Sequence, residues 1–481
     1  MNRIFLFFFP AVLAGTFFTS CKDDDDWSNV AVPDSELKTI LKEKGYTFNE
    51  EGNLVLNDLA LNTLSLDLSG TKISESILGG LDVLPHLTEV DLSDNGYGPA
   101  FDFSALPSAI TGVDLTGNEI YEYTGLVDVK VTENDEENVT VLRNMTKLDL
   151  PMTAKYDTHE LVYFYEQNKD GIEAGTVDLE MADSFGSLSA YTTLRDIPDE
   201  NCRAVLKESF PSLFDGDQVN LANRITDLSE AENYVDIYTS SEIENAEGIQ
   251  YIFEHRAYAG GIINIQVPNK TTIPFFKIYT KGIGRVTLLN INTPNGIDFG
   301  NSASDIYAVT IANNDSITSL DLSQSEKIGQ RSANLEMLGS YTSKLHVECC
   351  PLLEDLDLLP EKATIVHSVE LHNLPKLKKI DLSQLEAIMY IRLSQLGDCD
   401  ITYPAPAKWR LYRDNDNLLG DYSDERAYMS LGITEDVYER QVSKDFLNTY
   451  SSRLRNPGIY SLNGYVAYFD WTDYYDCWTR P

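Results

Sequence analysis

The residues of this sequence most able to act chemically as a set are carboxylates at a fixed place in a recurring triplet. Asp stands between two apolar residues at Asp67, Asp91, Asp114 and Asp149, and again at Asp298, Asp321, Asp357 and Asp381. Alternate side chains of a strand face opposite ways, so an Asp between two inward-facing apolar residues points outward. Copies on neighbouring strands then stack the carboxylates in a column. Like charges directly opposite are destabilising. Such a column is therefore a face for a cation or cationic ligand, or each carboxylate accepts a hydrogen bond from the turn that follows it. The second arrangement is the one expected; Asp298, Asp321, Asp357 and Asp381 are the binding candidates under the first.

Other constellations are sparse. His346 and Glu370 fall on adjacent rungs of the same pattern, with Glu348 nearby. A metal site needs three or four convergent ligands, so these residues are read as surface scatter, and neither a metal nor a cofactor is expected. The six histidines (86, 159, 255, 346, 367 and 372) form no H-E-x-x-H, and no G-x-S-x-G or P-loop occurs. The loops at 49–53 and 215–217 lack calcium-loop spacing. A catalytic role is not expected. The end of the chain is rich in Trp and Tyr, with Trp409, Tyr465, Tyr468, Trp471, Tyr474, Tyr475 and Trp478. Exposed rings of this kind stack on sugars or anchor protein contacts, which makes Trp471 and Trp478 candidates for glycan binding. Alternation from Tyr465 to Trp471 equally fits a half-buried strand.

The elements that must position these residues are written in a repeat. Val286-Thr-Leu288, Val309-Thr-Ile311, Leu345-His-Val347, Val369-Glu-Leu371 and Ile391-Arg-Leu393 start 23, 36, 24 and 22 residues apart. About 11 residues after the second, third and fourth comes another triplet: Leu320-Asp-Leu322, Leu356-Asp-Leu358 and Ile380-Asp-Leu382. An earlier array holds Leu66-Asp-Leu68, Val90-Asp-Leu92, Val113-Asp-Leu115 and Leu148-Asp-Leu150. One such unit cannot bury itself, but a stack of them lines a continuous core. Polar rung residues follow at Asn95, Asn118 and Asn314, with Cys350 in the same place. These are expected to hold turn backbone, since buried N–H and C=O groups need partners. The period of 20–29 residues and the L-x-L-x-x-N pattern resemble leucine-rich repeats.

A second periodicity is longer. Residues 32–43 (VPDSELKTILKE) recur at 197–208 (IPDENCRAVLKE), offset by 165 at each matched position. Both read as short amphipathic helices, with Leu37 of the first replaced by Cys202 in the second. The second copy continues through Leu228-Ser-Glu-Ala to Ile243-Glu-Asn-Ala-Glu-Gly-Ile249. Across 197–252 it resembles the cap of bacterial surface leucine-rich proteins. The expected fold is α/β leaning to mostly β: a leucine-rich-repeat solenoid of short parallel strands, in two modules each with a helical N-terminal cap. The expected division is a first cap and repeat module at 32–155, a junction at 156–192, a second at 193–403, and an aromatic-rich terminal cap or small domain at 404–481.

The first 20 residues carry Arg3 and then an apolar run from Ile4 to Phe18, which reads as a lipoprotein signal peptide rather than a membrane span. Phe18-Thr19-Ser20-Cys21 resembles a bacterial lipobox with Cys21 as the lipidated residue. Lys22-Asp23-Asp24-Asp25-Asp26, opening a linker at 21–31, resembles the export signal of Bacteroidetes lipoproteins sent to the outer face of the outer membrane. That resemblance implies a lipid-anchored surface protein, touching membrane only through its anchor.

A net charge of −39, from 37 basic and 76 acidic residues among 481, excludes nucleic acid as a partner. With Cys21 assigned to the anchor, five cysteines remain; Cys202 and Cys350 read as small buried hydrophobes, and a Cys399–Cys477 pair stays open. The expected role is non-catalytic recognition: a protein partner on the repeat face, or alternatively glycan capture by the aromatic end or a structural spacer.

Overall fold

The computed structural model describes residues 27–132, 137–231, 233–238, 242–325, 328, 344–358, 365–383, 387–404, 410–412, 418–421, 430–450, 460–462 and 465–467. Cys21, the acidic residues after it, Trp471, Trp478 and Cys477 lie outside them. The fold is mixed α/β with more strand than helix, and its two large sheets are built mainly from parallel strands.

Helix α1 (Ser35–Glu43) starts where Asp34 accepts hydrogen bonds from the N–H groups of Glu36 and Leu37, at 2.8 and 3.0 Å. Its apolar stripe of Leu37, Ile40 and Leu41 is buried. Strands β1 (Ser65–Asp67), β2 (Glu89–Asp91), β3 (Gly112–Asp114) and β4 (Lys147–Leu150) follow, all parallel, with Leu66, Val90, Val113 and Leu148 in one register. A fifth parallel strand, β5 (Asp178–Ala182), sets Leu179 beside Leu148. It lies inside the stretch read from sequence as a junction. Its Leu-Glu-Met triplet lacks the Asp marker, so the repeat was hidden there. Helix α2 (Glu160–Gln167) precedes it and packs beneath the sheet through Leu161 and Phe164.

The second half repeats the plan. Helix α3 (Glu200–Ser209) is capped by Asp199, which accepts from the Cys202 N–H at 2.8 Å, and Cys202 is fully buried where Leu37 is buried in α1. Parallel strands β6 (Val235–Ile237), β7 (Ile262–Thr272), β8 (Arg285–Asn292), β9 (Ala308–Ala312), β10 (Lys344–Glu348), β11 (Ile365–His372), β12 (Ala387–Ser394) and β13 (Ser430–Thr434) form the body of a 12-stranded sheet. Val286, Val309, Leu345, Val369, Ile391 and Leu431 occupy one rung position, in agreement with the triplets legible in the sequence. Two positions on, Leu288, Ile311, Val347, Leu371 and Leu393 are each fully buried. At roughly 1.5–3 kcal/mol per large aliphatic side chain removed from water, these two columns are a principal source of stability. The sheet begins two strands before the first triplet of the sequence pattern and continues beyond Pro404, in the stretch that reads as aperiodic, through β13 and four further strands at Arg410–Tyr412, Leu418–Asp421, Tyr460–Leu462 and Tyr465–Ala467. Helix α4 (Gln441–Tyr450) then packs Phe446 on Tyr403, ring centroids 4.4 Å apart.

Strands β9 to β12 are each followed by a residue with positive φ, Asn313, Cys349, Asn373 and Gln395, and Asn290 takes the same conformation inside β8, just past its pairing with β9. Such geometry is costly outside Gly, least so for Asn. Here the side chains bridge neighbouring turns, Asn313 donating to Asn290 Oδ1 at 3.0 Å and Asn290 to the Val267 carbonyl at 2.6 Å.

Buried apolar side chains divide into two clusters, one from Val32 to Tyr191 and one from Tyr156 to Leu447. The two halves of the chain meet within the second cluster across a stack of rings, Tyr121 on Phe275 and on Tyr156, and Tyr156 on Tyr251. Around the rings are the ion pairs Lys155–Glu247 (3.0 Å) and Arg256–Glu166 (2.6 Å). Asp157 is buried there and accepts from the N–H groups of Tyr123, His159 and Leu161; burial pushes its carboxyl up to about 7.

Candidate functional site

The aspartate columns come first, because the sequence singled them out. Asp67, Asp91, Asp114 and Asp149 are register partners on β1 to β4, and Asp321 pairs with Asp357 on a second, narrow sheet edge. Asp67, Asp91 and Asp114 each accept from the backbone N–H and the hydroxyl two residues on, in Ser69, Ser93 and Thr116. Asp298, Asp321 and Asp381 accept from the N–H of Gly300, Ser323 and Ser383. These hydrogen bonds hold the Asp67 and Asp381 carboxyls below their usual range. The exception is Asp149, buried and paired with Lys147 at 3.0 Å; burial raises its carboxyl. Each hydrogen-bonded Asp is thus occupied by its own turn.

The outward face of β6 to β12 is different. Because side chains alternate, the residue between two core positions on each strand points away from the core, and register aligns these residues in a column. The column reads Asp236, Asn264, Thr287, Thr310, His346, Glu370, Arg392. Two residues on is a parallel column: Gln266, Leu289, Ala312, Glu348, His372, Ser394. Core positions are all aliphatic, whereas these outward positions vary in size, charge and hydrogen-bonding capacity.

At β10 to β12 the two columns bring six polar side chains together. His346 Nε2 lies 3.1 Å from Glu348 Oε2, and its Nδ1 lies 3.9 Å from Glu370 Oε2. Arg392 Nη1 is 3.5 Å from the same Glu370 oxygen. His372 Nδ1 meets the Ser394 hydroxyl at 2.8 Å, and the two imidazoles stand edge to face at 5.8 Å. His346 and Glu348 are 9% exposed and His372 2%, so this is a desolvated polar group in which hydrogen bonds and ion pairs are stronger than in water.

The sequence placed His346 opposite Glu370 with Glu348 nearby, and the structure agrees. The reading of these residues as scatter missed His372 and Ser394. The signal was present: His372 stands two residues after Glu370 on the same strand, so it shares a face with it. Among the other residues singled out, Trp471, Trp478 and Cys21–Asp26 fall outside the described residues, and Cys202, Cys350 and Cys399 carry free thiols. Burial pushes the Cys202 and Cys350 thiols well up, the latter to about 12, which makes both inert as nucleophiles. No helix among the described residues is long and apolar enough to cross a membrane.

Comparison of the chain with protein-family models, with curated proteins and with solved structures finds no match.

Proposed function

We propose that this protein is a leucine-rich-repeat solenoid of two capped modules, held on the outer face of a bacterial outer membrane by lipid on Cys21, and that it recognises a protein partner through the outward face of β6 to β12. The observation that carries this reading is the contrast between the two sides of that sheet. Inward positions are uniformly aliphatic, while the outward column runs Asp, Asn, Thr, Thr, His, Glu, Arg along one continuous line. Stacked repeats present a long, regular surface suited to an extended partner, and specificity then resides in the variable residues. Asp298, Asp321 and Asp381 on the narrower edge engage their own turns, which favours the broad face over that edge. The anchor rests on the apolar leader and the Cys21-Lys-Asp-Asp-Asp-Asp sequence; stable attachment by lipid requires two or more acyl chains.

A binding screen of the purified protein against extracellular proteins and glycans on one array tests the reading. Protein hits abolished by Thr287→Arg with Thr310→Arg, and retained by Asp355→Arg on the narrow edge, are the expected result. Hits confined to glycans, or protein hits indifferent to the face substitutions, would overturn it.

A further inference from the structure

We propose that His346, Glu370 and His372 form a binding site for a zinc-class divalent cation, set into the outward face of the sheet. One nitrogen of each imidazole and one oxygen of the carboxylate already lie within 4.8 Å of one another. Tetrahedral zinc, with bonds of about 2.0–2.1 Å, holds its ligands roughly 3.3 Å apart, so side-chain shifts of about an ångström close the site on strands that are already in register. Two imidazoles and a carboxylate suit zinc and neighbouring transition metals, and are poorly suited to calcium or magnesium, which take oxygen ligands.

The surroundings are those a histidine metal site requires. Ligating imidazoles are held by a hydrogen bond at the other ring nitrogen. Glu348 takes that position at His346 Nε2, leaving Nδ1 directed to Glu370, and Ser394 takes it at His372 Nδ1, leaving Nε2 as the ligand atom. Arg392 contacts Glu370 and remains outside the ligand set. With neutral imidazoles, Glu348, Glu370 and Arg392 sum to one negative charge, so a divalent cation brings the group to a single positive charge. Three protein ligands leave a fourth position for water or for a donor from a bound partner.

The test uses the full-length chain, stripped with chelator and titrated with Zn²⁺ against a chromophoric competitor in excess calcium. One Zn²⁺ per chain is expected. His346→Gln and His372→Gln should abolish uptake, and Glu348→Gln should weaken it about 10–100-fold, each variant keeping a single cooperative unfolding transition. X-ray absorption at the zinc edge of the unsubstituted protein should show two imidazole scatterers and no sulfur, a readout independent of how the variants fold. Failure to compete for zinc, uptake indifferent to all three substitutions, or sulfur ligation would each overturn the site.

Discussion

His346 and Glu370 stand directly opposite on adjacent parallel strands, His346 Nδ1 3.9 Å from the Glu370 carboxylate, and each is followed two residues later by a second member of the same patch, Glu348 and His372. Four residues spread over 27 positions of sequence thus become a two-by-two block. The block exists only because the core residues between them, Val347 and Leu371, are in register. The chemistry of the outward face therefore depends on the packing of the inward one.

That dependence is testable at Ile311, fully buried on β9 beside Thr310, which faces outward. Ile311→Ala removes buried methylenes and should cost about 2–5 kcal/mol, whereas Thr310→Ala should cost less than about 1 kcal/mol. Urea denaturation of the two variants makes the comparison. Equal costs would contradict the assignment of sides.

The two cap helices should respond unequally to loss of their capping carboxylates. Asp34 accepts only within α1, from Glu36 and Leu37, so Asp34→Ala should cost about 1 kcal/mol. Asp199 accepts from Cys202 within α3 and also from the N–H groups of Glu244 and Asn245, at 2.9 and 3.1 Å. Asp199→Ala orphans those as well, so its cost should be roughly twice as large. Denaturation midpoints decide it.

Asn118 is the rung residue with the fullest set of bonds. Its carbonyl oxygen accepts from the N–H groups of Asn95 and Tyr97, and its amide donates to the carbonyls of Leu92 and Leu115. Asn118→Ala leaves these buried groups without their partner and should lower stability by on the order of 3 kcal/mol or more. A loss below about 1 kcal/mol would show that water replaces the side chain.

His255 gives a pH dependence of known sign. It is buried, with Nδ1 accepting from the Ala257 N–H and Nε2 facing the Asn220 carbonyl at 3.3 Å, a pairing that suits the neutral ring. Burial lowers its pKa to about 4, against about 6.5 in an unfolded chain. The unfolded state therefore takes up the proton first as pH falls. The stabilisation is fully present above about pH 6.5 and is lost on acidification toward pH 4, on the order of 3 kcal/mol in all. His255→Gln should be less stable at pH 7 and show a shallower decline between pH 7 and 4. Asp157, with its carboxyl raised to about 7, acts in the opposite sense, contributing stability below about pH 4 that is lost as pH rises through 7, so the variant must be compared with the parent protein at each pH.

Much of this arrangement was legible in the residues. The triplets at 286, 309, 345, 369 and 391 gave the register directly, because their apolar ends must share a face. The 165-residue offset identified both cap helices and predicted the burial of Cys202. The strands without a legible signal depart from the Leu-Asp-Leu form or stand outside the regular spacing. Strand β5 carries Leu-Glu-Met in place of Leu-Asp-Leu, and β6 and β7 hold Val-Asp-Ile and Ile-Asn-Ile before the regular spacing begins. The His346 patch was half visible, since the triplet names the outward residue between its apolar ends but not the one just after it. Contacts between the two halves of the chain, such as Tyr121 on Phe275, join residues 154 positions apart and have no local signal.

The central claim is that a partner docks on the outward face of β6 to β12. Hydrogen–deuterium exchange of the protein with and without a partner from the binding screen addresses it most directly. Protection concentrated in peptides spanning β8 to β12, with the narrow edge at 319–322 and 355–358 unaffected, is the predicted result. Protection confined to residues 435–481, or to that edge, would contradict it.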